Sequence, residues 1–278
     1  MQEQAVPPKT ARRERLAASL LFLVARKAYG ERKRGKERFV FMNPQSKNGI
    51  DWCDYTWSPV TGCLHGCSYC YARRLVRRFG NGGDSAKPTV AKPGDVFPAG
   101  FSPTFYPHRL GEPMRIRKPS RIFAVSAGDL FGEWVPEEWI ESVLDVARQC
   151  SRHTFIFLTK NPRRLPDFLF PPNAWAGVTI DGTGAASENE EKMMRLRAAS
   201  APVRFVSFEP LLNRPAGIRL NGVGWVIVGA MTGPGAAIPN PEWIREIIDR
   251  CRKSAVPVFV KQNIKWPEKI EEYPSPAL

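Results

Sequence analysis

The stretch GCLHGCSYCYARR, residues 62–74, places three of the chain's six cysteines, Cys63, Cys67 and Cys70, four and three residues apart. Thiolates at that spacing have two uses for a metal. Each can bind one iron of a [4Fe–4S] cluster, which leaves the fourth iron open, or together they can hold a structural zinc once a fourth protein ligand is found. His65 and Cys53 are the fourth donors on offer for zinc. His65, however, lies between two of the cysteines, where the backbone would strain to return it to the same ion, and no second Cys-x-x-Cys pair occurs. Cys150 and Cys251 fall in helix-like segments, DVARQC and IIDRC, where a thiol is usually a small buried apolar group. Cysteines scattered in this way do not form the disulfide framework of a small secreted domain.

Polar residues recur at the ends of apolar runs elsewhere. Asp129 follows RIFAVSAG, Thr159 and Lys160 end HTFIFL, Thr179 and Asp181 end AWAGV, Ser207 and Glu209 end VRFV, and Lys261 and Gln262 end VPVFV. Glu209 leads into Pro210, Leu211 and Leu212, so its carboxylate should be buried enough to need Lys160, Lys261 or a ligand's amino group as partner. These three charged residues are the candidates for catalytic roles. Gly128, beside Asp129, would let the backbone approach a ligand closely. The eight tryptophans read mostly as core or rim packing, with a few near such a site able to stack a base.

The elements that must carry these residues alternate. Strands are expected at 54–61, 102–107, 121–126, 153–159, 174–180, 203–209, 225–231 and 256–262, several of them almost continuously apolar, as strands covered on both faces are. Helical patterns lie at 67–79, 136–150, 186–200 and 241–254, the second opening on Pro and two acids. Repeated β-then-α order predicts an α/β fold, a partial or complete (β/α) barrel of six to eight parallel strands, in which active sites sit at the C-terminal strand ends. A G-x-G-x-x-G turn after the first strand is absent, which weighs against an open dinucleotide fold. Residues 42–278 read as one domain, with 80–100 a Gly/Pro-rich excursion over the mouth.

Charge is uneven. The chain carries 41 Lys and Arg against 27 Asp and Glu, a net +14, and residues 1–41 alone hold eleven basic residues against four Glu. The excess points to an anionic partner such as nucleic acid, or to solubility alone. The apolar run LAASLLFLVA (16–25) is too short to span a bilayer and leads into ARKAYGERKRGKER with no small-residue cleavage site. Residues 1–41 therefore read as a basic extension, either a solvated arm or a stretch upstream of a start at Met42; an amphipathic helix touching nucleic acid or membrane is the third reading. No stable membrane insertion is expected.

Cys63-x-x-x-Cys67-x-Tyr69-Cys70 resembles the cluster motif of the radical S-adenosylmethionine (SAM) superfamily. TWSPVTGC, CYAR, SAGDLF with VPEEWI, FLTKNPRRL, NAWAGVTI, FVSFEPLL, WVIVGAMTGPGA and VPVFVKQ resemble, in order, the landmarks of a phage-associated branch of that superfamily. GCLHGCSYCYAR and the strand ending in LTK are more distantly similar to the DNA-photoproduct (spore photoproduct) lyases. Cys53, where that branch often has an acidic residue, and Ala230-Met231, in place of its glycine pair, depart from the pattern, as does the spacing of the first two cysteines. The resemblance implies a [4Fe–4S] cluster on Cys63, Cys67 and Cys70, and a SAM molecule on the open iron that is cleaved reductively to a hydrogen-abstracting 5′-deoxyadenosyl radical. It further implies SAM contacts among Tyr69, Gly128, Asp129, Thr179 and Ser207, a reductant such as flavodoxin or ferredoxin, and a reducing, cytoplasmic setting. The substrate is then nucleic acid or a modified nucleotide, with a peptide or small metabolite as the alternative. The rival from another class is a nucleic-acid-binding module with a structural zinc or a non-catalytic cluster.

Overall fold

The structure is a computed structural model and describes residues 42–45, 49–80, 83–85, 87–233 and 235–275. The basic segment over 1–41, with its apolar run, lies outside the described residues. In chain order the strands are β1 (Asn43–Pro44), β2 (Tyr55–Trp57), β3 (Val60–Thr61), β4 (Thr89–Val90), β5 (Thr104–Phe105), β6 (Arg121–Ala124), β7 (Thr154–Thr159), β8 (Ala174–Thr179), β9 (Arg204–Phe208), β10 (Trp225–Val228) and β11 (Val258–Val260). The helices are α1 (Tyr71–Phe79), α2 (Glu137–Gln149), α3 (Ala186–Ala198) and α4 (Pro241–Lys253). Their starts follow local chemistry. Glu137 and Glu138 place negative charge on the first turn of α2, and Asn240 caps α4 by accepting from the Glu242 amide at 2.9 Å ahead of Pro241.

One eight-stranded sheet, in the order β1-β2-β6-β7-β8-β9-β10-β11, dominates. β1 pairs antiparallel to β2, and every other pairing in it is parallel, as helical crossovers require. Among the described residues the pairing does not close on itself. The outer edge of β11 instead takes up the chain's end, with the Val260 amide donating to the Ile270 carbonyl at 2.8 Å. That contact covers an edge that would otherwise expose unpaired backbone groups.

Strand alternation gives the sheet two unlike faces. One carries Ile122, Ala124, Phe155, Phe157, Ala176, Val178, Val206, Val226 and Val258, which pack with Ile140, Val143, Leu196, Ile244 and Ile247 of the helices. The other carries Phe123, Ile156, Trp175, Phe205, Trp225 and Phe259, joined by Trp52. Trp225 is the hub of that aromatic floor, with ring centroids 5.5 Å from Phe205, 5.7 Å from Trp175 and 6.1 Å from Trp52. By the same alternation Lys160, Thr179, Ser207, Glu209 and Lys261 lie above this floor, toward the C-terminal strand ends.

Two expected strands behave differently. The run 54–61 divides at Ser58-Pro59 into β2, in the main sheet, and β3, in a second sheet of order β3-β5-β4. The run 102–107 contributes only β5, and to that second sheet, since Pro103 and Pro107 flank it and remove two ladder donors. The main sheet thus holds seven parallel strands, β2 and β6 to β11. Among the described residues no helix is long and apolar enough to cross a membrane.

Candidate active site

The cysteine loop leaves β3 at Gly62 and ends at Cys70, whose Sγ accepts from the Arg73 amide at 3.4 Å and so caps α1. Gly62 has a φ of 86°, and a Cβ there would lie 2.1 Å from the Ser102 carbonyl oxygen, so no larger residue fits. A Cβ on Gly128 would meet the Gly62 carbonyl oxygen at 2.7 Å. The two glycines bring the loop's start against the chain that follows β6, where the Gly62 amide donates to the Ala127 carbonyl at 2.9 Å. On the side a Cβ would take, Gly128 therefore packs against the loop itself.

Three side chains of the loop and its helix then tie down to strand ends. His65 Nε2 lies 2.8 Å from Asp129 Oδ2. Asp129 is buried and also accepts from Thr159 Oγ1 at 2.7 Å, the Lys160 amide at 2.9 Å and the Phe131 amide at 3.1 Å. It is a junction between the loop, β7 and the chain after β6. The Tyr69 hydroxyl donates to Asp181 Oδ2 at 2.5 Å and accepts from Lys160 Nζ at 2.7 Å. Burial, reinforced by the Asp181 carboxylate, pushes the Tyr69 phenol far above its usual range, so it stays protonated. For Asp181, burial would raise the carboxyl, but hydrogen bonds from Tyr69 and Thr183 and the charge of Lys160 outweigh it and hold the group down to about 2. Tyr71, the first residue of α1, donates to the Ser126 carbonyl at 2.6 Å.

Cys63, Cys67 and Cys70 are half-buried free thiols on this pinned loop, whereas Cys53, Cys150 and Cys251 are buried. Burial pushes the Cys63 thiol up to about 12, and the Asp129 carboxylate and the Cys67 and Cys70 thiols act in the same direction. Among the described residues no three Cys, His, Asp or Glu side chains converge as ligands of a single ion must. Ligands of a four-iron cube stand further apart, because the cube lies between them, so three thiols on one loop remain a donor set suited to the larger group. His65, weighed as a zinc ligand, has one ring nitrogen, Nε2, against Asp129.

A second charged group lies across the same face. Lys261 Nζ and Glu209 Oε1 form a salt bridge, with the Lys261 side chain only 11% exposed. Burial would lower the Lys261 ammonium, but the Glu209 carboxylate more than offsets it and raises the group. Gly229 makes room for the pair, since a Cβ there would sit 2.9 Å from both Glu209 Cδ and Lys261 Cδ. Of the partners considered for Glu209, the structure therefore supplies Lys261, while Lys160 is committed to Tyr69 and Asp181. Ser207, beside Thr179 in the sheet register, is fully buried, and its Oγ has no protein partner. A recess of about 380 Å³ opens beside the loop, bordered by His65, Trp134, Lys160, Asn161, Arg163 and Arg195.

Tyr71 and Gly229 were not among the expected site residues, and nothing local marks them, because their partners are distant in sequence. Asp181 reads as a polar strand-end residue and His65 as a zinc donor, and their role in anchoring the loop was not legible. The profile of a family described as "Protein of unknown function (DUF5131)" matches residues 47–274. No curated protein matches the sequence. Among solved structures the chain is similar to spore photoproduct lyase complexed with dinucleoside spore photoproduct, with a TM-score of 0.50 and 12% identity over 81% of this chain and 80% of that one. A cysteine-to-alanine mutant of that lyase gives a TM-score of 0.49 at 13% identity, covering 81% of this chain and 79% of the other. A further mutant of it, with bound AdoMet and dinucleoside spore photoproduct, gives 0.48 at 12% identity, covering 78% and 65%. At such identities the likeness concerns the fold, a mixed α/β chain around a mostly parallel sheet.

Proposed function

Since this chain belongs to the DUF5131 family, whose profile spans the cysteine loop and the ends of all seven parallel strands, we propose that these elements form the active site of a radical SAM enzyme on a partial (β/α) barrel. The observation that carries this reading is the loop itself. Three half-buried thiols share one segment, and that segment is fastened at His65, Tyr69 and Tyr71 to the C-terminal ends of the strands. In this reading Cys63, Cys67 and Cys70 would hold a [4Fe–4S] cluster, which would supply the electron for reductive cleavage of SAM.

The remaining residues bind and orient. Glu209 would accept from an ammonium group and Lys261 would hold a carboxylate, so the pair can exchange its internal salt bridge for the two charges of an amino acid moiety. Ser207 Oγ offers a hydroxyl that no protein atom uses, and Thr179 stands beside it. The aromatic floor keeps water from below, which protects a radical from quenching. Asp129 and Asp181 fix the loop rather than touch the ligand, because their oxygens are already engaged. The substrate is proposed to be nucleic acid or a modified nucleotide, and the reductant a flavodoxin or ferredoxin.

Anaerobic reconstitution with iron and sulfide, then reduction with SAM present, tests the reading. A bound cluster and formation of 5′-deoxyadenosine are expected. Failure of the wild-type chain to take up iron and sulfide, or intact SAM after reduction, would overturn it.

A further inference from the structure

Helix α1 is an unusual helix for its position. Only Ala72 and Val76 of its nine residues are buried, and no acidic residue occurs between Gly62 and Gly83. Helical spacing sorts the exposed residues into two adjacent stripes. Tyr71, Leu75 and Phe79, each four residues from the next, form an apolar stripe with exposures of 49%, 45% and 55%. Arg74, Arg77 and Arg78 border it along one side. Arg74 donates to the Thr232 carbonyl at 2.9 Å, whereas Arg77 and Arg78 have no carboxylate partner among the described residues, and the Arg78 guanidinium lies 5.4 Å from the centre of the Phe79 ring. The stripe begins one residue after Cys70 and runs about 12 Å along the helix.

We propose that this face of α1 binds an unpaired nucleic-acid strand and leads it to the cysteine loop, a proposal that rests on the reading above and names the partner of that site. Charge selects the occupant first. A second copy would bring the same arginines against these, and an apolar partner would leave them unpaired. A strand supplies phosphates for Arg77 and Arg78 and flat bases for the rings, the combination by which single strands are held. A duplex hides its base faces and would leave Leu75 and Phe79 without contact. Tyr71 adds a fixed platform: its hydroxyl is held at 2.6 Å by the Ser126 carbonyl while about half of the residue stays exposed, so little motion is lost when a base stacks on it.

Fluorescence anisotropy of the full chain with a short labelled oligodeoxythymidine, the corresponding duplex and inorganic polyphosphate tests the proposal. The single strand is expected to bind most tightly. Arg77→Glu/Arg78→Glu should weaken it by about tenfold or more, and Arg77→Gln/Arg78→Gln should reduce the salt slope by about 1.4, the loss of two phosphate contacts. Phe79→Ala should weaken strand binding by about fivefold or more and leave polyphosphate binding unchanged. Equal affinities for strand, duplex and polyphosphate, or variants that bind the strand as the wild type does, would overturn the proposal. So would arginine variants that retain strand binding but lose reduction by an acidic electron carrier, since the face would then belong to a protein. Formation of 5′-deoxyadenosine without substrate should be unchanged in the arginine variants. Cleavage without strand binding therefore defeats this proposal alone, and strand binding without cleavage defeats only the enzymatic reading.

Discussion

Cys53, Cys150 and Cys251 are enclosed by the core, while Cys63, Cys67 and Cys70 stand half-buried on a single loop. A raised thiol is not peculiar to the buried set. Burial pushes the Cys53 and Cys251 thiols up to about 12, and it does the same to Cys63. The difference lies in neighbours. Cys251 sits in the core between α4 and the sheet, whereas Cys63 has two further thiols and the Asp129 carboxylate close by. A thiol becomes a candidate ligand here because others share its loop and because strand ends hold that loop still.

The sharpest way to break this division is to remove one cysteine from each set. Cys67→Ala is expected to abolish both iron uptake and SAM cleavage, read by iron and sulfide content and by 5′-deoxyadenosine after anaerobic reconstitution. Iron uptake equal to wild type in Cys67→Ala would dissolve the distinction. Next in size is the junction behind the loop. Asp129→Ala removes the acceptor of two backbone amides, a hydroxyl and His65, and should cost about 3 kcal/mol of unfolding free energy in urea, since buried donors are left unpaired. An unchanged urea midpoint would show that the loop is held by other contacts.

Asp181→Asn should cost less, about 1–2 kcal/mol near neutral pH, because Tyr69 and Lys160 keep each other as partners. Its sign with pH is definite. The carboxyl is depressed from 3.8 to about 2 in the folded state, so its contribution is present above pH 3.8 and fades as pH falls toward 2. The stability gap between Asp181→Asn and wild type should therefore narrow across that interval in thermal unfolding, and a gap that widens would contradict the clasp. Smallest is Cys251→Ala, expected to cost about 1 kcal/mol through a small cavity while leaving cluster content at the wild-type value. Loss of the cluster in that variant, with folding intact, would mean that the buried set is not merely structural.

The α/β order, the helix starts at Pro136 and Pro241, and the strands from 121 onward were legible because each depends on residues adjacent in sequence. So was the shared loop of Cys63, Cys67 and Cys70. Membership of the second sheet was not, since Val60 and Phe105 pair across 45 residues and their separate runs look like any other short strand. The choice between Lys160 and Lys261 as partner of Glu209 was equally hidden.

Taken alone, the sequence determined which residues could ligate and which runs could become strands, because spacing and alternation act over a few positions along the chain. Tertiary structure decided who meets whom. The parallel register carries Lys261 to Glu209, 52 residues away, and the docking of the loop across strand ends carries Tyr69 to Asp181, 112 residues away. Such pairings follow from where whole strands stop relative to one another, a property of the packed sheet that no local pattern encodes.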